Sequence, residues 1–364
     1  MVTATSRIQH VDIARGLLVT GVALTHNHPL MVEAGWRPLS DALSFRLPLL
    51  FFVSGVFLSM LMPFREQVLR KAESILKPYF AVGLLVVLSM QVGFFKSIGD
   101  MGDGLRSFLL ASGETIPWPW EPMWFLPTLF FGSLGAVLIW RWAGLSRERM
   151  AYSAGVLGVL LLLSVGLVNI SKDLPIHHSA LLKEWRFTTG MPWNVDLVPL
   201  AAFFTALGAL LRPQIIAFRF SWRMTLLAAV VYCLTLALLD NKIDLNYRVY
   251  KMLGSTLLVV TGGYLLLALS LALSHMRRTG AAFKLLGASS LFVLIFHAPV
   301  QDMMGWLMYA AAGKWLSHEV IGLVSLVLAL CLPVLLWQVA RRSRWLSLIF
   351  LPSKQSLAPL ATRS

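Results

Sequence analysis

The sequence predicts an all-α polytopic membrane protein with about ten transmembrane helices in a single bundle. Of its 364 residues 57% are hydrophobic, only 13% are charged, and the mean hydropathy is +0.74. The apolar residues fall in runs of about 20, the length of a helix that crosses a bilayer and not of a barrel strand. Because lipid offers the backbone no hydrogen bonds, we expect helices throughout.

Ten apolar segments account for most of the chain. We predict membrane spans at 10–30, 42–62, 75–95, 122–142, 150–170, 194–212, 223–240, 252–274, 286–310 and 319–340. They form one transmembrane domain over residues 1–345, followed by a short cytoplasmic tail over 346–364. The first span serves as its own insertion signal, because its charges and the lack of a small-residue cleavage site argue against a signal peptide.

The net charge of +14 comes mainly from basic residues at the ends of the apolar runs. With a cytoplasmic N-terminus, 19 of the 31 Lys and Arg lie inside, 11 lie outside, and Arg15 lies within the membrane. Cytoplasmic loops carry the excess of positive residues, so this bias predicts both termini in the cytoplasm. We expect no nucleic-acid partner, because no compact soluble domain carries a basic face.

The first span carries Asp12 and Arg15 near one end and His26 and His28 near the other. A charge at the centre of a bilayer costs about 3 kcal/mol or more, so such groups usually face a cavity or a partner. On a continuous helix, Arg15 and His26 share one stripe and lie about 16 Å apart along the axis. A snorkelling arginine and an interfacial histidine explain the pattern equally well.

The second span contains Ser54 and the glycine after it. Small residues in the middle of a span allow two helices to approach closely, and packing is the favoured interpretation. The alternative is that they leave room for a thin ligand chain.

Residues 65–79 form a basic, partly amphipathic inner loop that leads into the third span. Most of its charge is explained as a topology determinant on anionic lipid. Arg70 and Lys71 are also candidates for a phosphate clamp, because fixed cations pair well with phosphates.

Segment 117–131 places three tryptophans near the outer mouth of the fourth span, two of them, Trp120 and Trp124, flanking the carboxylate of Glu121. Tryptophan at a membrane interface needs no further function. Flat aromatic faces beside a carboxylate also suit the stacking and hydrogen bonding of a sugar ring.

His297 lies near the middle of the ninth span. A single histidine on an apolar helix is more often a packing residue. Here it is the third intramembrane polar group after Arg15 and His26, which favours a shared polar cavity.

Five motifs follow one another along the chain: D-x-x-R-G at Asp12 to Gly16 with His26 ten residues after Gly16, FF-x-SG at Phe51 to Gly55, a basic loop ending in Pro78-Tyr79, WFLPTLFF from Trp124, and SL-x(5)-H ending at His297. In this order they resemble the membrane acyltransferase family 3. The resemblance covers essentially the whole chain. The soluble esterase-like extension of some members is missing, and the size is similar to that of acetyltransferases of xanthan-type exopolysaccharide.

The resemblance implies an integral O-acetyltransferase of the bacterial inner membrane, with acetyl-CoA as a cosubstrate from the cytoplasm. The implied acceptor is a hydroxyl of a periplasm-facing polysaccharide or lipid-linked oligosaccharide, on a sugar such as mannose. No permanently bound cofactor and no metal are expected, and other polysaccharide-assembly proteins are candidate partners beside the lipid bilayer. Succinyl transfer to a periplasmic glucan, a secondary transporter of a small polar solute, and a structural subunit of an export complex stay open as alternatives.

The resemblance implies that the essential pair of the family's first helix falls on Arg15 and His26. As a hypothesis from their chemistry, His26 is the base, Arg15 contacts or positions the donor, and Asp12 orients or partly neutralises Arg15. The remaining predicted site residues are Arg70, Lys71, Ser54 and His297 for the donor, and Trp120, Glu121 and Trp124 for the acceptor. Transfer is either direct or through an acyl group on His26.

Overall fold

The computed structural model describes residues 8–91, 101–113, 115–173, 191–313 and 315–352. It is 80% helical. Within the described ranges, the strands are limited to one hairpin, Ile243–Asp244 with Val249–Tyr250. The all-α prediction is confirmed. Residues 353–364 of the predicted tail lie outside the described residues.

The helices follow one another with short connections. In chain order they are α1 Gln9–Thr25, α2 Arg37–Ala42, α3 Arg46–Val56, α4 Phe64–Lys71, α5 Lys77–Gln91, α6 Met101–Leu110, α7 Phe125–Trp142, α8 Met150–Asp173, α9 Val198–Leu210, α10 Arg212–Ile216, α11 Trp222–Leu238, α12 Met252–Ser274, α13 Arg277–Ala288, α14 Ser290–Ala312, α15 His318–Arg342 and α16 Arg344–Phe350. Short π-helices occupy Pro29–Glu33 and Ala72–Leu76, and 3₁₀ turns occupy Glu121–Trp124 and Pro192–Leu197.

Eight helical segments of the described chain are long and apolar enough to cross a membrane. They are Arg37–Val56, Phe64–Met90, Glu121–Trp142, Met150–Lys172, Pro192–Leu210, Met252–Ser274, Ser290–Ala312 and His318–Arg342. The other two predicted spans correspond to α1 and α11, which have 17 residues each. A polytopic helical membrane protein is therefore confirmed, and ten is an approximate number of spans.

The chain divides into two compact units. Unit 1 comprises Met1–Phe57, Gly208–Ile243 and Tyr250–Leu335, and unit 2 comprises Leu58–Leu207, Asp244–Val249 and Leu336–Ser364. Unit 1 therefore holds α1 to α3 and α10 to α14, and unit 2 holds α4 to α8. The six-residue loop 244–249 belongs to unit 2, although α11 and α12 on either side belong to unit 1.

Helix α1 forms the centre of unit 1, since ten of its 17 residues are buried against α3, α12, α13 and α14. Where α1 crosses α13, the backbones of the two helices are in direct contact. A β-carbon on Gly16 would lie 2.0 Å from the carbonyl oxygen of Phe283, and one on Gly287 would lie 2.0 Å from that of Asp12. Only glycine permits this approach, as in small-residue helix crossings in membranes. The contact fixes the turn that carries the D-x-x-R-G motif.

We expect Gly16→Ala to lower the midpoint of thermal unfolding in detergent, because its methyl group would force the two backbones apart. Overpacking of this kind costs about 1–3 kcal/mol. Gly21→Ala is the matched control in the same helix, because its β-carbon would meet nothing within 4 Å. In the interior of a helix, alanine is more stable than glycine by about 1 kcal/mol. We therefore expect the control variant to unfold at or above the wild-type midpoint. Equal losses in both variants would contradict the close crossing.

The first predicted span is wrong beyond Thr25, where α1 ends. Two local features stop the helix. Pro29 has no N–H to donate, and the side chain of Asn27 accepts the N–H of Leu30 at 3.1 Å in place of a helical carbonyl. The π-helix Pro29–Glu33 then continues in a separate segment. Sequence hydropathy alone does not show a break of this kind.

The basic loop predicted over 65–79 is also wrong, because the chain is helical from Phe64 to Gln91. The segment is rich in good helix formers, and Glu66 pairs with Arg70 one turn later at 2.6 Å. The second predicted span, 42–62, is shifted towards the N-terminus and runs over Arg37–Val56.

Candidate active site

Two histidines meet in unit 1. His26 follows the last residue of α1, and His297 lies within α14. The Nε2 of His297 is 3.4 Å from the Nδ1 of His26, and the ring centroids are 5.1 Å apart in an edge-on arrangement. His297 is fully buried, whereas His26 is half-buried. The structure therefore places a residue predicted for donor binding directly against the predicted base.

The hydrogen bonds of the pair assign the tautomers. The Nδ1 of His26 is 2.9 Å from the carbonyl oxygen of Val22, and the Nδ1 of His297 is 2.8 Å from that of Val293. A carbonyl oxygen only accepts, so each Nδ1 carries the proton in the neutral ring. Each Nε2 therefore carries a lone pair. The Nε2 of His297 faces the N–H of His26, and the Nε2 of His26 is the atom able to take a proton from a substrate.

Asn27 fixes the chain directly after His26. Its side chain is fully buried, and its amide nitrogen donates to the carbonyl oxygen of Gly322 and to the hydroxyl of Ser325, both at 3.0 Å in α15. Its amide oxygen accepts the N–H of Leu30. Every polar atom of the side chain is thus used to hold the end of α1.

Gln301 holds the same end from α14. Its Nε2 donates to the carbonyl oxygen of Ala23 at 2.8 Å. Since Gln301 follows His297 by four residues, both side chains lie on one face of α14. Neither Asn27 nor Gln301 stood among the predicted site residues. The spacing from His297 was the one signal in the sequence that pointed to Gln301.

Arg46, at the start of α3, lies close enough to both imidazoles for its charge to act on them. Its Nη1 donates to the carbonyl oxygen of Leu43 at 3.0 Å, which anchors the guanidinium. A fixed cation beside a base can stabilise a developing negative charge. Arg46 is not among the residues that the sequence predicts for the site.

Arg15 lies in the second turn of α1, eleven residues before His26. Its guanidinium carbon is 5.7 Å from the ring centroid of Phe57, just beyond the end of α3. Asp12 is buried one turn earlier, and Ser54 is buried in the last turn of α3. By the rise of a helix, Arg15 and His26 lie about 16 Å apart along the axis. Helix α1 therefore carries a cation in its second turn and is followed directly by an imidazole.

Arg70 and Lys71 close α4 in unit 2 and are half-buried. The Nη2 of Arg70 is 2.6 Å from a carboxylate oxygen of Glu66, so a phosphate at Arg70 would compete with that carboxylate. Among the described residues, no group of three or more His, Cys, Asp or Glu side chains is arranged to hold a metal ion.

Two of the three tryptophans in the aromatic segment 117–131 of unit 2 are buried. Trp120 is 8% exposed and Trp124 is 5% exposed, whereas Trp118 is 49% exposed. Stacking of a sugar on Trp120 or Trp124 would therefore require their neighbours to move. Glu121 begins the 3₁₀ turn between them, and its Oε1 accepts a hydrogen bond from the Nδ2 of Asn246 at 2.8 Å.

Unit 2 also contains a buried ion pair between Arg248 and Asp196. The Nε of Arg248 is 2.8 Å from the Oδ2 of Asp196, and both side chains are fully buried. Arg248 also donates to the side-chain oxygen of Asn194 and to the backbone oxygen of Asn246, each at 2.8 Å. We call Glu121, Asn194, Asp196, Asn246 and Arg248 the loop junction. Sequence reasoning missed it because its members come from three separate loops.

A family model described as an acyltransferase domain matches residues 8–342 of the chain. All the predicted site residues lie within that match. No curated protein and no solved structure matches the chain.

Proposed function

The chain belongs to the acyltransferase 3 family, and from this membership we propose that it transfers an acetyl group from cytoplasmic acetyl-CoA to a sugar hydroxyl. It is a membrane acyltransferase. The proposed acceptor is a periplasm-facing polysaccharide or lipid-linked oligosaccharide, with mannose of an exopolysaccharide as the leading sugar, in a bacterial inner membrane with both termini cytoplasmic. The contact between His26 and His297 carries the proposal, because it leaves a lone pair on a half-buried imidazole of unit 1.

In the proposed reaction the Nε2 of His26 takes the proton of the sugar hydroxyl as its oxygen attacks the thioester carbonyl carbon. Imidazole suits this step because its neutral ring has a nitrogen lone pair that can take a proton. The tetrahedral intermediate carries a negative oxygen, which the charge of Arg46 stabilises. The carbon–sulfur bond then breaks, and the CoA thiolate takes the proton from His26. The products are the O-acetyl sugar and free CoA.

His297 supports the base in this scheme. Its Nε2 shares the N–H that the Nδ1 of His26 donates to the carbonyl oxygen of Val22, and both contacts keep the proton on Nδ1 in the resting state. When His26 becomes an imidazolium, the same contact stabilises the added charge. The alternative route places the acyl group on the Nε2 of His26 before the sugar attacks it, and the same lone pair serves that route.

The donor is proposed to bind through cations. Arg15 contacts the pantetheine or phosphate portion of CoA, with Asp12 as its orienting neighbour. In unit 2, Arg70 and Lys71 are proposed to hold the nucleotide phosphates, since a planar guanidinium and an ammonium both pair with phosphate. Ser54 leaves room for the acyl chain. Glu121, with Trp120 and Trp124, is proposed to receive the acceptor sugar.

We expect Arg15→Ala to weaken CoA binding about 10- to 100-fold, the loss of one charge-assisted hydrogen bond. Binding of CoA to purified protein, measured by calorimetry, checks this. The control is Arg344→Ala. Arg344 is an exposed arginine in α16 and is predicted to lie on the cytoplasmic side, from which CoA is proposed to bind. An unchanged dissociation constant for Arg15→Ala would remove the donor role from this residue.

The overall function is tested by thiol release. Purified protein in proteoliposomes receives acetyl-CoA, with or without glycan extracted from the host envelope. We expect free CoA to appear only with the glycan, and the glycan to gain the mass of an acetyl group. A gain of the mass of a succinyl group would identify the alternative donor. Release that is independent of any glycan, or no release at all, would contradict an O-acyltransferase.

A further inference from the structure

The loop 244–249 reaches the acceptor residues of unit 2 from a distant part of the sequence. Asn246 lies 125 residues from Glu121 along the chain, and its Nδ2 donates to the Glu121 carboxylate at 2.8 Å. The motifs that the chain shares with its family do not include this loop, so they do not account for its contact with Glu121.

The backbone of Asn246 is fixed by Arg248. The Nη1 of Arg248 donates to the backbone oxygen of Asn246 at 2.8 Å, and its Nε and Nη2 donate to Asp196. Asp196 in turn accepts from the hydroxyl of Ser171 and the N–H of Met191. The charged pair is thus fully hydrogen-bonded inside the protein, which is the condition under which a buried pair holds one geometry.

The junction also contains backbone conformations that non-glycine residues rarely adopt. Arg248 has a φ of 53° and Asn194 has a φ of 52°. Left-handed conformations of this kind cost energy and persist only where the surroundings enforce them. Here the hydrogen bonds between Arg248, Asn194 and Asp196 enforce them.

The position of Asn246 leaves one polar atom of its side chain without a hydrogen bond among the described residues. In the described part of the chain, its side-chain oxygen is buried and makes no hydrogen bond. It lies against Gly113, where an added β-carbon would come within 1.9 Å of it. Reversing the amide would turn its oxygen towards the Glu121 carboxylate, so the hydrogen bond to Glu121 dictates the orientation. An unsatisfied buried oxygen destabilises a fold, which argues that Asn246 serves Glu121 rather than stability.

We propose that Asn246 is a positioning residue that holds the Glu121 carboxylate for the acceptor sugar, with the Arg248–Asp196 pair as its anchor. The inference rests on the proposed function, because it takes Glu121 as an acceptor-binding residue. A carboxylate whose plane is fixed by an amide presents its oxygens to a hydroxyl group without first losing rotational freedom. Asn246 acts through Glu121.

The test compares the kinetics of three variants in the thiol-release assay with the host glycan. Asn246→Ala is expected to raise KM for the glycan about tenfold, the loss of one hydrogen bond to a charged group, and to leave KM for acetyl-CoA unchanged. Asn246→Asp keeps the shape but replaces the donor with a second carboxylate, so the rise is at least as large. The control, Asn241→Ala, removes an asparagine of the same connection that bonds only to Thr235 and Leu239 among the described residues.

A double-mutant cycle with Glu121→Ala separates positioning from a structural role. If Asn246 acts through Glu121, adding Asn246→Ala to Glu121→Ala changes KM for the glycan less than twofold. Multiplicative effects of the two changes would overturn the proposal, as would an unchanged KM in both Asn246 variants. A wild-type protein that shows no glycan-dependent release would instead refute the proposed function, whatever the Asn246 variants do.

Discussion

His26→Ala is expected to lose about 10²- to 10⁴-fold in acyl transfer, the usual contribution of a positioned general base. The physical reason is that the Nε2 lone pair, set by the bond from Nδ1 to the carbonyl of Val22, has no replacement in the alanine side chain. The measurement follows labelled acetyl-CoA into the glycan in proteoliposomes. CoA binding is expected to stay within about twofold, because Arg15 lies about 16 Å from His26 along the helix axis.

The control for this prediction lies two residues away. His28 is 64% exposed and pairs with Glu33 at 3.4 Å, outside the contact between His26 and His297. His28→Ala is therefore expected to retain wild-type transfer. His297→Ala should give an intermediate loss, because it removes the support of the base and leaves the base itself. Normal turnover by His26→Ala would exclude both the direct reaction and an acyl-His26 route.

Asp196→Ala is expected to destabilise the protein by about 3–5 kcal/mol, the cost of leaving one member of a buried ion pair without its partner. Arg248 would remain fully buried with its positive charge uncompensated. Thermal unfolding of the purified protein, followed by intrinsic tryptophan fluorescence, measures the loss. The double variant Asp196→Leu with Arg248→Met should recover much of it, because two apolar side chains of similar size remove the charge altogether.

Asp103→Ala provides the matched control in unit 2. Asp103 pairs with Arg106 at 3.2 Å in α6, where both side chains are partly exposed. Surface pairs contribute about 0–1 kcal/mol, so this variant should unfold near the wild-type temperature. If Asp196→Ala and Asp103→Ala were equally mild, the loop junction would not be the anchor that its geometry indicates.

The sequence predicts most of the spans and the ionisable residues of α1, because both depend on local information. Hydropathy over about 20 residues identifies a span, and the position of Arg15 and His26 on a helix follows from helix geometry. The membrane interior also makes an ionisable residue such as His297 conspicuous. These residues could be selected without knowledge of their neighbours in space.

The rest depends on partners that are far away along the chain. The break after Thr25 is held by the contact of Asn27 with Gly322, 295 residues later. Arg248 finds Asp196 across 52 residues, and no periodicity or motif connects their segments. The polarity of residues 65–79 favours a loop, whereas their helix propensity favours the helix in which Arg70 lies.

The attachment of α1 to α15 has a consequence for biosynthesis. The groups that pair with the Asn27 amide are synthesised 295 and 298 residues after it. Until they are in place, that amide lacks the partners that hold it beside the imidazole. A chain truncated before residue 318 would keep His26 and His297 but lose the attachment that fixes the chain after α1.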